Sequence, residues 1–116
     1  MSQRQARYRA TRKRRPTADD LMLETSMYDT LAMAAHYNGF EFYHTYRSDR
    51  SEAGYPDITI AGHGRLIFWE CKAEGGRATE PQQTWLNVLG QVQSAPLVEL
   101  IHPHDLDRCL AELRRG

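Results

Sequence analysis

Leu21, Leu23, Met27, Leu31, Ala32, Ala34 and Ala35 recur at broadly helical spacing, which predicts a helix from Asp19 or Asp20 to about Tyr37. Thr17 and Asp19 are its candidate N-caps, and Asn38-Gly39 supplies the stop. Residues 40–46 are rich in aromatics and follow that turn, so they predict a first strand. Residues 47–55 are polar, with Ser48, Asp49, Ser51 and Gly54, and predict a loop. A second strand is expected over residues 57–61 and a third over residues 65–72, with Gly62-His63-Gly64 as the tight connection of a hairpin. Thr79 and Pro81 mark the start of a helix running to about Leu89. Residues 96–101 predict a fourth strand, and residues 105–114 carry Leu106, Cys109, Leu110 and Leu113 at helical spacing. The order is αβββαβα. A hairpin followed by a helical crossover into a further strand predicts an α/β architecture, a mixed sheet flanked by helices.

The third strand contains an anomaly. Leu66-Ile67-Phe68-Trp69 reads as buried, yet Glu70-Cys71-Lys72 follows at once, and charges are seldom buried without partners. Side chains alternate along a strand, so Glu70 and Lys72 share one face, expected to be polar, and Trp69 and Cys71 share the other, expected to be apolar. Asp57 stands thirteen residues before Glu70, at the opening of the neighbouring strand, and the reversal implied by Gly54 and Pro56 brings its carboxylate toward Glu70. Two such carboxylates repel strongly unless a cation lies between them. Oxygen ligands of this kind suit Mg²⁺ or Mn²⁺, with the backbone carbonyl of Cys71 as a further hard ligand. Lys72 is then placed to stabilise growing negative charge or to orient an attacking water. For a lone Glu-x-Lys the plain alternative is a surface ion pair.

The 116 residues are about one domain's worth, and 41% hydrophobic content is enough for a single core. No apolar stretch approaches the ~18 residues of a membrane span, and the Arg-rich start lacks the apolar segment of a secretory signal, so a soluble protein in the cytoplasm is expected, with no membrane partner. Cys71 and Cys109 lie far apart and outside any Cys-x-x-Cys or Cys/His pattern, which argues against both a disulfide framework and a zinc site, and both are expected to be reduced thiols. The formal net charge of zero conceals a segregation. Residues 1–16 hold seven Lys or Arg and no acid, which leaves eight Lys or Arg against fifteen Asp or Glu in the rest, +7 against −7. Residues 1–18 are therefore expected to be a basic, disordered arm and residues 19–116 the folded domain. Arg12, Lys13, Arg14 and Arg15 in the arm are candidate contacts to nucleic acid, where they would offset the repulsion between an acidic body and a polyanion.

Gly54-Tyr55-Pro56-Asp57, Glu70-Cys71-Lys72 and Gly76-Arg77-Ala78-Thr79-Glu80-Pro81-Gln82, with Trp85-Leu86 beyond, together resemble the VRR-NUC domain, a branch of the PD-(D/E)xK nuclease superfamily. The resemblance reaches upstream to Glu24 and His44-Thr45-Tyr46-Arg47-Ser48 and downstream to Leu100-Ile101-His102-Pro103, covering roughly residues 22–113. It implies a restriction-endonuclease-like core and a metal-dependent nuclease of the compact type carried by phages, acting in the host cytoplasm. By that resemblance Asp57 and Glu70 bind Mg²⁺ or Mn²⁺, Glu24 completes the acidic site, Lys72 assists hydrolysis and Gln82 points into the site. It also implies a homodimer and DNA as substrate, branched DNA such as a Holliday junction or a flap being favoured. Two departures stand out: Pro81 directly precedes Gln82, one residue later than is usual in the family, and Cys71 replaces an aliphatic residue.

Arg47, Arg50 and Arg77 lie on loops flanking the site and are candidate phosphate contacts, with solvated loop charge as an equal alternative. His44 is read as a packed residue, and Trp69 and Trp85 as core anchors. The rival function is a non-catalytic module that grips nucleic acid through its basic arm.

Overall fold

The computed structural model describes residues 18–45 and 53–114; the arm with Arg12, Lys13, Arg14 and Arg15, and the segment carrying Arg47 and Arg50, lie outside the described residues. The elements are α1 (Ala18–Tyr37), β1 (Glu41–His44), β2 (Ile58–Gly62), β3 (Arg65–Cys71), α2 (Glu80–Gly90), β4 (Leu97–Ile101) and α3 (Leu106–Arg114), in the expected order. A 3₁₀ turn, Pro103–Asp105, precedes α3, so Asp105 stands just outside that helix.

α1 ends through backbone bonds from Gly39 to His36 (3.2 Å) and from Phe40 to Ala35 (2.9 Å), with Gly39 at φ +83°. This is a left-handed cap closed by the residue after the glycine. It engages Phe40, so β1 begins at Glu41 rather than at residue 40 as the aromatic run predicts. The β2–β3 hairpin turns through His63 (φ 53°) and Gly64 (φ 74°), the signature of a type I′ turn that matches strand twist. A histidine tolerates the left-handed conformation there because its Nε2 bonds to Asn38 O (2.8 Å) and its ring meets Phe40 edge-on at 4.9 Å.

The four strands form one mixed sheet in the order β1-β2-β3-β4, with two antiparallel pairings and a parallel one between β3 and β4. The helical crossover α2 makes the parallel pairing possible. One sheet face, with Ile58, Ile60, Ile67, Trp69, Cys71 and Ile101, packs under Met27, Leu31 and Ala35 of α1 and Cys109 and Leu113 of α3. The opposite face, with Phe68, Val98 and Leu100, packs under Leu86 of α2 and Ala78 of the loop before it. The face of β3 expected to be polar is thus apolar up to Phe68, and Glu70 is buried at the margin of a second core. Among the described residues, no helix is long and apolar enough to cross a membrane.

Candidate active site

Ile58 pairs with Trp69 at the end of the β2–β3 ladder, so one step further Asp57 falls opposite Glu70. Asp57 keeps its place in the sheet by accepting the N–H of Thr45 on its carbonyl (2.8 Å). Its side-chain Oδ2 accepts two hydrogen bonds of 3.1 Å, from the Tyr28 hydroxyl on α1 and from the Cys71 N–H on β3. The loop that delivers Asp57 is held against α2. Gly54 at φ +90° lies on the Pro81–Gln82 backbone, and the Tyr55 ring meets Trp85 (5.1 Å) and Phe68 (6.2 Å) edge to face.

Glu70 is only 2% exposed. Its Oε2 accepts from Gln82 Nε2 (3.0 Å), with Lys72 Nζ at 3.9 Å, while Oε1 is buried without a hydrogen-bond partner among the described residues. The Gln82 amide cannot turn around, because its Oε1 takes the Thr79 N–H (2.8 Å), while the Gln82 backbone N–H reaches Thr79 Oγ1 (3.3 Å). That reciprocal capping box fixes the amide's sense and aims its NH₂ at Glu70. Pro81 occupies the first turn of α2 without disturbing the cap, since it lacks only an N–H that needs no intrahelical partner. Burial raises the Glu70 pKa to about 9, helped by the charge of Asp57 and by a hydrogen bond shared with its carboxyl; Lys72 and the Asp57 N–H pull the other way.

Glu99 gives the comparison. It too sits in an apolar strand and is 3% exposed, but Trp69 Nε1 (3.2 Å) and Arg108 Nη1 (3.0 and 3.1 Å) satisfy it. Glu70 has instead a second carboxylate for a neighbour and, among the described residues, one oxygen, Oε1, without a hydrogen-bond partner. Buried polar atoms are rarely left so, and a cation among the oxygens would satisfy Oε1 and relieve the repulsion. The residues present therefore fit a hard divalent ion.

Asp57, Glu70, Lys72 and Gln82 are brought together as the sequence predicts, and Cys71 joins them through its backbone while its side chain faces the core. Glu24 lies in α1, four residues before Tyr28 and so on the same helical face; its side chain is outside the described residues. Arg77 is exposed on the loop before α2. His44 packs against Tyr28, with ring centroids 4.1 Å apart and the planes tilted by 32°. Tyr28 itself was not singled out from the sequence, although its helical spacing from Glu24 is the signal that would have found it. Replacing Thr79 by alanine removes the cap at about 1 kcal/mol. Gln82→Ala is expected to cost about 1–2 kcal/mol more, because it also strips the amide donor from buried Glu70. Equal losses in thermal denaturation would show that the Gln82–Glu70 bond contributes nothing. Comparison of the chain with protein-family models, with curated proteins and with solved structures gave no match.

Proposed function

We propose that the chain is a divalent-metal-dependent endonuclease of the VRR-NUC type, with a PD-(D/E)xK core, that hydrolyses phosphodiester bonds in DNA. The observation that carries the reading is the buried, incompletely satisfied Glu70 set opposite Asp57 and beside Lys72. The αβββαβα order and the mixed sheet are compatible with such a core. Asp57 and Glu70, with the Cys71 carbonyl and Glu24, would hold Mg²⁺ or Mn²⁺. When bound, the ion supplies Lewis acidity and lowers the pKa of water. Lys72, with its side chain 22% exposed, is placed to receive a scissile phosphate and to stabilise the charge that grows on it. Gln82 holds Glu70 in place, and Tyr28 and the Cys71 N–H hold Asp57. Arg77, and Arg47 and Arg50, are candidate contacts to flanking phosphates.

Supercoiled, linear and four-way-junction DNA incubated with the protein should be cut in Mg²⁺ and left intact in EDTA. Absence of cleavage of all three, at protein concentrations where binding is measured, sinks the proposal. The segregated charge favours a second reading, a binding module driven by the arm. Deleting residues 1–16 separates the two: an enzyme retains metal-dependent cleavage, whereas an arm-driven module loses its affinity and has no cleavage to retain.

A further inference from the structure

A second cluster of donors lies where β4 runs into α3. His102 Nδ1 stands 3.8 Å from Asp105 Oδ2, and His104 Nε2 stands 3.5 Å from Asp105 Oδ1. The two imidazoles are stacked, 5.4 Å apart and 7° from parallel, and one ligand atom from each of the three residues lies within 4.8 Å of the others.

The outer nitrogens decide what the inner ones can do. His102 Nε2 is 2.9 Å from the carbonyl of Gly76, an atom that only accepts, so this nitrogen carries the hydrogen. His104 Nδ1 is 2.8 and 2.9 Å from the Glu74 carboxylate oxygens, which leads to the same assignment. In the neutral rings the lone pairs therefore sit on His102 Nδ1 and His104 Nε2, the two atoms turned toward Asp105. Two lone pairs and a carboxylate then lie within reach of one ion; Asp105 Oδ2 also accepts the His102 backbone N–H (2.9 Å), and because the rings are 7° from parallel they must turn toward each other on binding. A carbonyl or carboxylate on the far nitrogen is also the support that metal-binding histidines characteristically have.

We propose that His102, His104 and Asp105 bind a divalent transition-metal ion, with Zn²⁺ as the best match, and that Gly76 and Glu74 orient the two imidazoles. Two imidazole nitrogens and one carboxylate suit Zn²⁺ and its neighbours better than Mg²⁺, which prefers oxygen and water. Tetrahedral Zn–N bonds of ~2.1 Å set ligand atoms ~3.4 Å apart, so the three donors draw inward on binding. Two donors compete for that carboxylate: the His102 backbone N–H on Oδ2 (2.9 Å), which leaves Oδ1 for the ion, and Arg108 Nη2, 3.5 Å from Oδ1, whose guanidinium is also engaged by Glu99 through Nη1. Neither cysteine takes part. Since Glu74 and Gly76 belong to the loop between Lys72 and α2, the ion fastens that loop to the β4–α3 junction.

The site shares no residue with the Asp57–Glu70 pair, so it is tested in the full-length Glu70→Gln protein, which removes one acidic ligand from the other centre. Calorimetric titration should show one equivalent of Zn²⁺ bound, Co²⁺ should develop visible ligand-field bands, and millimolar Mg²⁺ should not displace either. His104→Ala changes an exposed ring and leaves the core alone, so it should fold normally by circular dichroism and lose more than about tenfold in Zn²⁺ affinity. Asp105→Asn should weaken binding in the same direction. No Zn²⁺ uptake by Glu70→Gln, or uptake that neither His104→Ala nor Asp105→Asn diminishes, overturns the proposal.

Discussion

Glu70→Gln is expected to abolish metal-dependent cleavage while making the metal-free protein more stable at alkaline pH. The two effects have one source. The folded protein holds a proton on Glu70 up to about pH 9, whereas an unfolded chain releases it near 4.5. Between those values the folded state binds more protons than the unfolded state, so stability is fully present below pH 4.5 and is lost as pH rises toward 9. The limiting slope for one group is about 1.4 kcal/mol per pH unit. Glutamine has nearly the same shape, needs no counter-charge, can still accept from Gln82, and has an NH₂ to offer Asp57. The gain at pH 8 should be on the order of 3 kcal/mol, and the pH dependence should flatten. Urea denaturation in EDTA at several values between pH 5 and 9 measures both. Adding Mg²⁺ at pH 8 should restore stability to the wild-type protein and leave the variant unchanged. Parallel pH profiles for the two proteins would remove the assigned strain from Glu70.

Gly54→Ala is expected to reduce stability by about 3 kcal/mol and to disable the site as well. A Cβ at this position would lie 2.5 Å from the Pro81 carbonyl carbon, 2.6 Å from its oxygen and 2.7 Å from Gln82 N. These are backbone atoms at the start of a capped helix, which cannot move aside as a flexible side chain would. The φ of +90° adds about 1–2 kcal/mol for any L-residue, and overpacking a further 1–3 kcal/mol. In a domain of this size that corresponds to a fall of about 10–20 °C in Tm. Relief of the clash separates residues 53–57 from α2, and with them Asp57 from the helix that holds Gln82. Gly64→Ala is the control, because Gly64 also has a positive φ, +74°, but nothing lies within 4 Å of its Cβ position. It should lose only the conformational part, about 1 kcal/mol. Equal Tm values for the two variants would refute the close packing of Gly54 on α2.

The order of elements was readable because Asn38-Gly39, Gly62-His63-Gly64, Pro81 and Pro96 separate segments of different periodicity. The errors arose where a residue serves two elements: Phe40 has a strand former's side chain, yet its N–H closes a helix. The second core was missed on β3 because Glu70 and Lys72 drew the reading of that face toward polarity, although Phe68 shares their parity. In the site, Glu70 and Lys72 were legible because a charge after an apolar strand is a local signal, and Asp57 because it opens the neighbouring strand, whereas Gln82, a neutral residue on a helix, entered only through the resemblance to VRR-NUC domains. Glu99 carries the same signal and was passed over; only the tertiary contacts with Trp69 and Arg108 distinguish the two acids. For Tyr28 the one signal was its helical spacing from Glu24; that its hydroxyl meets Asp57 is a tertiary contact, which the helix itself does not report.

The His63–Gly64 turn lies at the closed end of the hairpin whose open end carries Asp57 and Glu70, five pairs and about 17 Å away. Because β-structure alternates with a period of two, a slip of one residue at this turn would send Glu70 into the core beneath α1 and bring Trp69 up under α2. Two left-handed residues that touch no part of the acidic site thus determine on which side of the sheet its chemistry is presented.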